Sequence, residues 1–298
     1  MDSDTPVVPP LAGLAIAVIA VSTSAILIRW SRAPSAVAAF YRVLFTTLLL
    51  APLAVARYRE AFARLSMRDW LVAASSGLAL AAHFAAWFES LEWTSVAASV
   101  TLVQTQPVFV AIGAAWLLEE RLNRRIVVGI GVALVGSVLL SVGELLSGGA
   151  LAGSNPLYGD ALALVGALAA AGYVLAGRSL RQRLPLIPYV IVVYSASAVG
   201  LLAWTVGQGI PLGPYPPREW ALFVAMAVGP GIFGHTVVNW ALAHVESSVV
   251  SVTLVGEPVG STLLALLLLG EVPPAMTVVG GVVVLVGIVL TARSRPNP

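Results

Sequence analysis

Residues 106–140 read QPVFVAIGAAWLLEERLNRRIVVGIGVALVGSVLL, and residues 257–291 read EPVGSTLLALLLLGEVPPAMTVVGGVVVLVGIVLT. Laid over each other at a shift of 151 residues, they bring Pro107 onto Pro258, Leu118 onto Leu269, Glu120 onto Glu271, Gly129 onto Gly280 and Gly136 onto Gly287. Upstream, Leu91 falls on Leu242, and His83 falls on His235 with one residue of slippage. Apolar sequence matches itself easily by chance. A proline, a glutamate and two glycines held in register do not arise so readily. The shift is half of the 298-residue chain, so the protein is built from two copies of one unit.

The composition sets the solvent of that unit. Apolar residues make up 59% of the chain and charged residues 10%, against about 45–50% and about 25% in soluble domains. So little charge cannot cover so much apolar surface in water. These figures exclude a soluble enzyme, a disordered chain and a nucleic-acid binder. There are no cysteines, hence no disulfides and no thiolate chemistry, and every basic residue is Arg. Ten apolar runs are long enough to cross a bilayer: 11–29, 35–56, 69–89, 94–117, 124–143, 157–177, 185–206, 218–241, 247–269 and 274–292. The connections are too short for a soluble domain. The first run is read as a retained helix, because Asp2 and Asp4 precede it where a signal peptide carries positive charge.

Arg placement sets the orientation. With the N-terminus inside, twelve Arg lie in the inner connections and the C-terminal tail, against Arg29, Arg32 and Arg218 outside, with Arg42 inside a span. Both termini are therefore expected in the cytoplasm of a cell (plasma or inner) membrane. Five spans per repeat is an odd number, so the second repeat must be inverted. The charges agree: Arg121, Arg124 and Arg125 follow Glu120, whereas Pro273 and Pro274 follow Glu271. Inverted repeats characterise secondary transporters, which bind substrate near the midplane between the halves. The expected organisation is a cytoplasmic tail 1–10, a first repeat 11–143, an extracytoplasmic connection 144–156, a second repeat 157–292 and a cytoplasmic tail 293–298.

The paired pattern Pro107…Glu120…Gly129…Gly136 and Glu257-Pro258…Glu271…Gly280…Gly287 resembles the EamA repeat of the drug/metabolite transporter superfamily. Gly159-Asp160, Phe40-Tyr41-Arg42, His83-Phe84, the stretch Ser90 to Ser95, and Gly234-His235 leading to Asn239-Trp240-Ala241-Leu242 also resemble it. The resemblance covers residues 11 to 292. It implies an all-α basket of ten helices around a central cavity, with the fifth and tenth at the periphery, and export as the commoner direction. It does not name a substrate, since such transporters carry amino acids, metabolites, drugs and sugar conjugates.

Polar groups inside a membrane are costly and mark a cavity or a partner. Glu257 lies near the expected midplane, with Thr253 and Ser261 one turn away on the same face and Pro258 freeing a backbone carbonyl beside it. A carboxylate there could exchange a proton or meet a cationic substrate group; alternatively it is structural, paired to Arg or a hydroxyl. Its counterpart Gln106 cannot titrate. Arg42 is a candidate anion contact, or a brace to a helix end or to Glu89. His83 and His235, sharing faces with Trp87 and Asn239, are candidates for proton coupling or for helix–helix hydrogen bonds. Two His without a third ligand do not close a metal shell. Ser22, Ser24, Thr101, Gln104, Gln106 and Tyr173 complete the expected cavity lining, with Trp87 and Tyr173 able to stack on a flat or cationic ligand. Trp30, Trp70, Trp93, Tyr215 and Trp220 are read as interfacial anchors. Glu120 and Glu271 are read as caps on the helix that follows each.

Gly229-Pro230-Gly231-Ile232-Phe233-Gly234 fits G-x-G-x-x-G but lies in a membrane run, so it is read as a bent helix and not a dinucleotide site. There is no phosphate-binding loop, so ATP is not the expected energy source, and no cofactor is implied. The expected function is a secondary active transporter in the lipid bilayer, exporting a small organic metabolite (amino acid or drug-like compound) by alternating access, with proton coupling open. A passive facilitator or exchanger on the same fold is the alternative. A membrane enzyme is remote, because the acids are scattered.

Overall fold

The computed structural model describes residues 9–117, 124–146, 155–181, 184–241, 253–254 and 256–293. Within them lie eight apolar helices long enough to span a bilayer and two shorter ones. We number them α1 (Pro10–Trp30), α2 (Ser35–Arg57), α3 (Met67–Trp93), α4 (Val96–Gly113), α5 (Arg124–Gly143), α6 (Pro156–Ala176), α7 (Leu186–Gly207), α8 (Pro217–Ala241), α9 (Gly256–Leu269) and α10 (Ala275–Leu290). Each of the ten expected runs is represented by helix among the described residues. Leu118, Glu120 and Leu242 lie outside the described residues, as does the start expected for the ninth run.

Valine-rich stretches such as Val282-Val283-Val284 in α10 are helical although valine is a modest helix former. In lipid each backbone N–H and C=O must be satisfied within its own segment, and that requirement outweighs side-chain propensity. Local signals set the ends. Ser66 and Asp69 form a reciprocal capping box at the start of α3, and the Ser95 hydroxyl accepts from Ala98 N at 3.1 Å at the start of α4. Pro34, Pro185 and Pro216 precede α2, α7 and α8. Aliphatic side chains such as Val138, Val199 and Leu267 project outward as a lipid-facing coat.

The packing repeats with the sequence. α3 lies along α6 and α1 along α8; α5 pairs with α10 and α2 with α7. Exchanging the two repeats interchanges the α3–α6 and α1–α8 pairings and maps α5–α10 and α2–α7 onto themselves, so the two halves are related by a pseudo-two-fold. The α5–α10 contact is built on the repeat glycines. A Cβ on Gly136 would lie 2.9 Å from Gly280 O, and one on Gly287 would lie 2.7 Å from Gly129 O. The two contacts are repeat-equivalent, and only residues without a side chain let the backbones approach so closely.

Three of the spans are interrupted. α1 breaks at Thr23, between Pro10–Ser22 and Ser24–Trp30. α4 breaks between Val103 and Gln106. In α8, Ala227–Thr236 is wound as a π-helix. Pro230 has no N–H to offer Met226 O four residues back, so the turn loosens to i→i+5. This is the bend expected from the Gly-Pro-Gly stretch. Two expected anchors differ from their reading. Trp220 and Tyr215 join Tyr41 and Phe223 in an aromatic cluster, Tyr41 lying 4.8 Å from Trp220 and stacked 5.0 Å from Phe223. Trp220 Nε1 donates to Tyr215 O at 3.1 Å. These rings fasten α8 to α2, whereas Trp30 and Trp70 are exposed.

Candidate functional site

The break in α1 sets Ser22 and Ser24 at mid-depth. Ser22 Oγ lies 3.4 Å from Glu257 O, and Ser261 Oγ donates to Ser22 O at 3.1 Å, which stitches α1 to α9. The Gln104 amide of α4 donates to the Glu257 carboxylate. Glu257 is buried and forms no ion pair among the described residues, while Arg42 is the charged group whose field reaches it. Gln104, and not the repeat mate Gln106, makes this bond. Gln104 lies in the break of α4, whereas Gln106 opens the helical segment after it. Gln106 is half-buried.

Arg42 is 1% exposed. Its Nη1 donates to Ser24 Oγ at 3.0 Å, and its guanidinium carbon lies 4.5 Å from the ring centre of Phe84, 5.5 Å from Phe88 and 5.9 Å from Trp87. Cation–π attraction offsets part of the cost of burying the charge. Glu89, considered above as a brace partner, instead accepts from Ser35 Oγ and from Trp93 Nε1.

His83 Nδ1 lies 2.9 Å from Gly166 O, a contact from α3 to α6, and its ring stacks on Trp87 at 5.9 Å. His235 meets Phe84 edge-on at 6.0 Å. The repeat-related histidines therefore differ in their contacts. Asn239 donates to His235 O at 2.8 Å and bonds the Tyr173 hydroxyl, which also bonds Tyr189; the Tyr189 hydroxyl lies 3.3 Å from Ser76 Oγ. That chain joins α8, α6, α7 and α3. Thr101 stands apart from these groups, against Gly281 of α10.

Phe88, Tyr189, Ser76 and the pair Tyr194–Thr236 do not stand out in the sequence, and Phe84 does so only as part of a motif and not as a site residue. The i, i+4 spacing of Phe84 and Phe88 beside His83 and Trp87 was a usable signal. The two α7 tyrosines sit in a run whose neighbours are aliphatic, and nothing local separates them from anchors.

The Arg-poor end is tied across the repeats. Arg29 pairs with Glu271 at 3.2 Å and donates to Thr94 O at 2.7 Å. Thr94 Oγ1 donates to Asp160 at 2.8 Å, Ser31 Oγ to Glu219 at 2.6 Å, and Tyr41 OH to Leu212 O at 2.7 Å. Glu271 accepts from Val96 N at 3.0 Å. It therefore caps α4 of the other repeat, where the helix that follows it was expected. The pseudo-two-fold sets the end of α9 beside the start of α4. Glu120, the corresponding residue of the first repeat, lies outside the described residues.

The profile of the EamA-like transporter family matches residues 10–142 and 157–293. An uncharacterized transporter of Archaeoglobus fulgidus is 26% identical over 86% of this chain and 87% of its own. The pseudopaline exporter CntI of Pseudomonas aeruginosa is 27% identical over 88% and 87%. The inner membrane protein YtfF of Escherichia coli is 26% identical over 78% and 79%. One solved crystal structure superposes with a TM-score of 0.66 over 94% of this chain and 95% of its own, at 20% identity, which carries the fold alone.

Proposed function

The chain belongs to the EamA-like transporter family, and from that premise we propose that it exports a small organic metabolite by proton-coupled alternating access. The protein is a multi-pass membrane protein and not an enzyme. The observation that carries the finer reading is Glu257. It is buried at mid-depth where α9 of one repeat meets α1 and α4 of the other, and among the described residues it is held by a neutral amide and no ion pair. A carboxylate so placed can take a proton from one side and release it to the other as access alternates.

The bonds at the Arg-poor end supply one closed gate, since each of the four pairings Arg29–Glu271, Thr94–Asp160, Ser31–Glu219 and Tyr41–Leu212 joins the first repeat to the second. The Arg distribution favours the cytoplasm at the opposite end. The named activity of the pseudopaline exporter and the inner-membrane location of the Escherichia coli relative support export across a cytoplasmic membrane.

The test uses purified protein in proteoliposomes, offered a pool of amino acids, amines and small metabolites. An acidic lumen is expected to drive accumulation above equilibrium. Glu257→Gln is expected to lower that accumulation by about tenfold or more while the protein still inserts. Equilibration that ignores the gradient replaces the carrier by a facilitator or exchanger. Undiminished transport by Glu257→Gln at every pH removes the proton role.

A further inference from the structure

Two buried donors in the middle of the bundle have no hydrogen-bond partner among the described residues: Arg42 Nη2 and Trp87 Nε1. They belong to neighbouring groups, the guanidinium carbon lying 5.9 Å from the Trp87 ring. Both side chains are at most 3% exposed. Buried polar atoms are normally satisfied, and one that is not calls for an explanation. Here the orphans come as a pair, and both are hydrogens seeking an acceptor; indole and guanidinium have no other hydrogen-bonding role.

The charge balance points the same way. A buried cation needs an anion or strong hydrogen bonds. Ser24 answers one nitrogen of Arg42. Glu257 acts on the guanidinium through its field alone and accepts from Gln104, while the described acids of the Arg-poor end are bonded elsewhere: Glu89 with Ser35 and Trp93, Asp160 with Thr94, Glu219 with Ser31 and Glu271 with Arg29. The guanidinium is therefore left with one open nitrogen and no direct ion pair among the described residues, beside the Trp87 indole and over a phenylalanine face.

We infer that Arg42 Nη2 and Trp87 Nε1 form a two-donor clamp for the carboxylate of a monoanionic ligand with an apolar body. Two oxygens on one carbon can accept from two donors on adjacent groups, and a planar anion suits the edge of a guanidinium. A single positive charge matches a single negative one. A cationic or purely donor group would leave both orphans unanswered. The ligand as cargo rests on the transport reading; the clamp itself does not. The clamp assigns Trp87 as the residue that selects acid over amide, a role its ring alone would not give it.

The experiment measures thermal unfolding of the full chain in lipid nanodiscs with phenylacetate, hexanoate and 3-indolepropionate, each against its primary amide. Ligand affinity follows from the shift, because binding to the folded state alone stabilises it by mass action. At least one acid is expected to bind about tenfold or more tightly than its amide, the difference a charge-assisted hydrogen bond makes. Trp87→Phe keeps a ring and removes the N–H, and is expected to cut that preference about fivefold or more while amide affinity holds. Arg42→Gln is expected to abolish the preference; should that variant fail to fold, Arg42→Lys keeps the charge, loses the planar fork and is expected to weaken it. No preference for any acid in the panel overturns the clamp, and so does a preference that Trp87→Phe leaves intact. Flux of the same compounds in proteoliposomes separates the two readings. An acid that binds through the clamp but is not carried overturns the transport reading alone, whereas equal flux of acid and amide overturns the clamp and leaves transport standing.

Discussion

At the scale of single residues, the two histidines separate although the repeat makes them equivalent. His83 spends Nδ1 on Gly166 O, across to α6, and stacks on Trp87. That is the contact of a helix–helix fastener. Asn places a donor near the position of Nδ1, so His83→Asn is expected to keep folding and any dependence of transport on the pH gradient, while His83→Leu should cost about 1 kcal/mol in thermal unfolding. A loss of gradient dependence in His83→Asn would return this residue to the proton path. Glu257→Gln belongs at the same scale, because it exchanges one oxygen for an amide without changing the volume. The sequence singled out Glu257, Arg42 and Gln104 because charged and amide groups are rare in a span. It did not reveal that the Arg42 guanidinium rests on Phe84, since aromatic residues in a membrane helix look alike until their neighbours are known.

At the scale of elements, glycine decides two features. Gly270 has φ +68° at the end of α9, a left-handed C-terminal turn, and Glu271 N reaches back to Ala265 O at 3.2 Å. This turn delivers the Glu271 side chain to Arg29 and to Val96 N. Gly270→Ala places a Cβ in the left-handed region, at about 1–2 kcal/mol, and is expected to lower the unfolding temperature and loosen the Arg29–Glu271 pair together. The α5–α10 contact is the second feature. Gly287→Val would push a branched side chain onto Gly129 O and Ala133, where backbone cannot give way. Its expected cost is about 1–3 kcal/mol by overpacking, read as thermal unfolding of the purified variant. An unchanged unfolding temperature would show that the two helices separate at little cost.

At the scale of the whole molecule, four bonds at the Arg-poor end join the two repeats, so on the proposed reading opening that end moves one repeat against the other. Glu271 holds both an ion pair and a helix start, and Glu271→Gln should remove about 1–3 kcal/mol of bias toward closure. The population open at that end then rises about tenfold. The absence of native cysteines makes the measurement clean. Thr23→Cys, at the break in α1, is expected to react with a membrane-impermeant thiol reagent applied from the Arg-poor side faster in the Glu271→Gln background. Equal labelling rates in both backgrounds would mean that Arg29 and Glu271 do not restrain the gate.

The sequence alone determined that this chain lives in a membrane, that ten helices cross it, and that the halves are inverted copies. Those conclusions rest on hydropathy, on an odd number of spans and on Arg placement, all readable one residue at a time or at one fixed shift. It also marked the rare polar residues, because burying them is expensive wherever they sit. Tertiary structure alone decided which of them meet. Gln104, lying in the break of α4, is the amide that meets Glu257. Glu271 caps α4 in the other repeat because the pseudo-two-fold sets the end of α9 beside it. Trp87 and Arg42 share a site because α3 packs beside α2. Contacts between helices depend on rotation about each axis and on which faces small residues allow to approach, and neither is written at any one position of the chain.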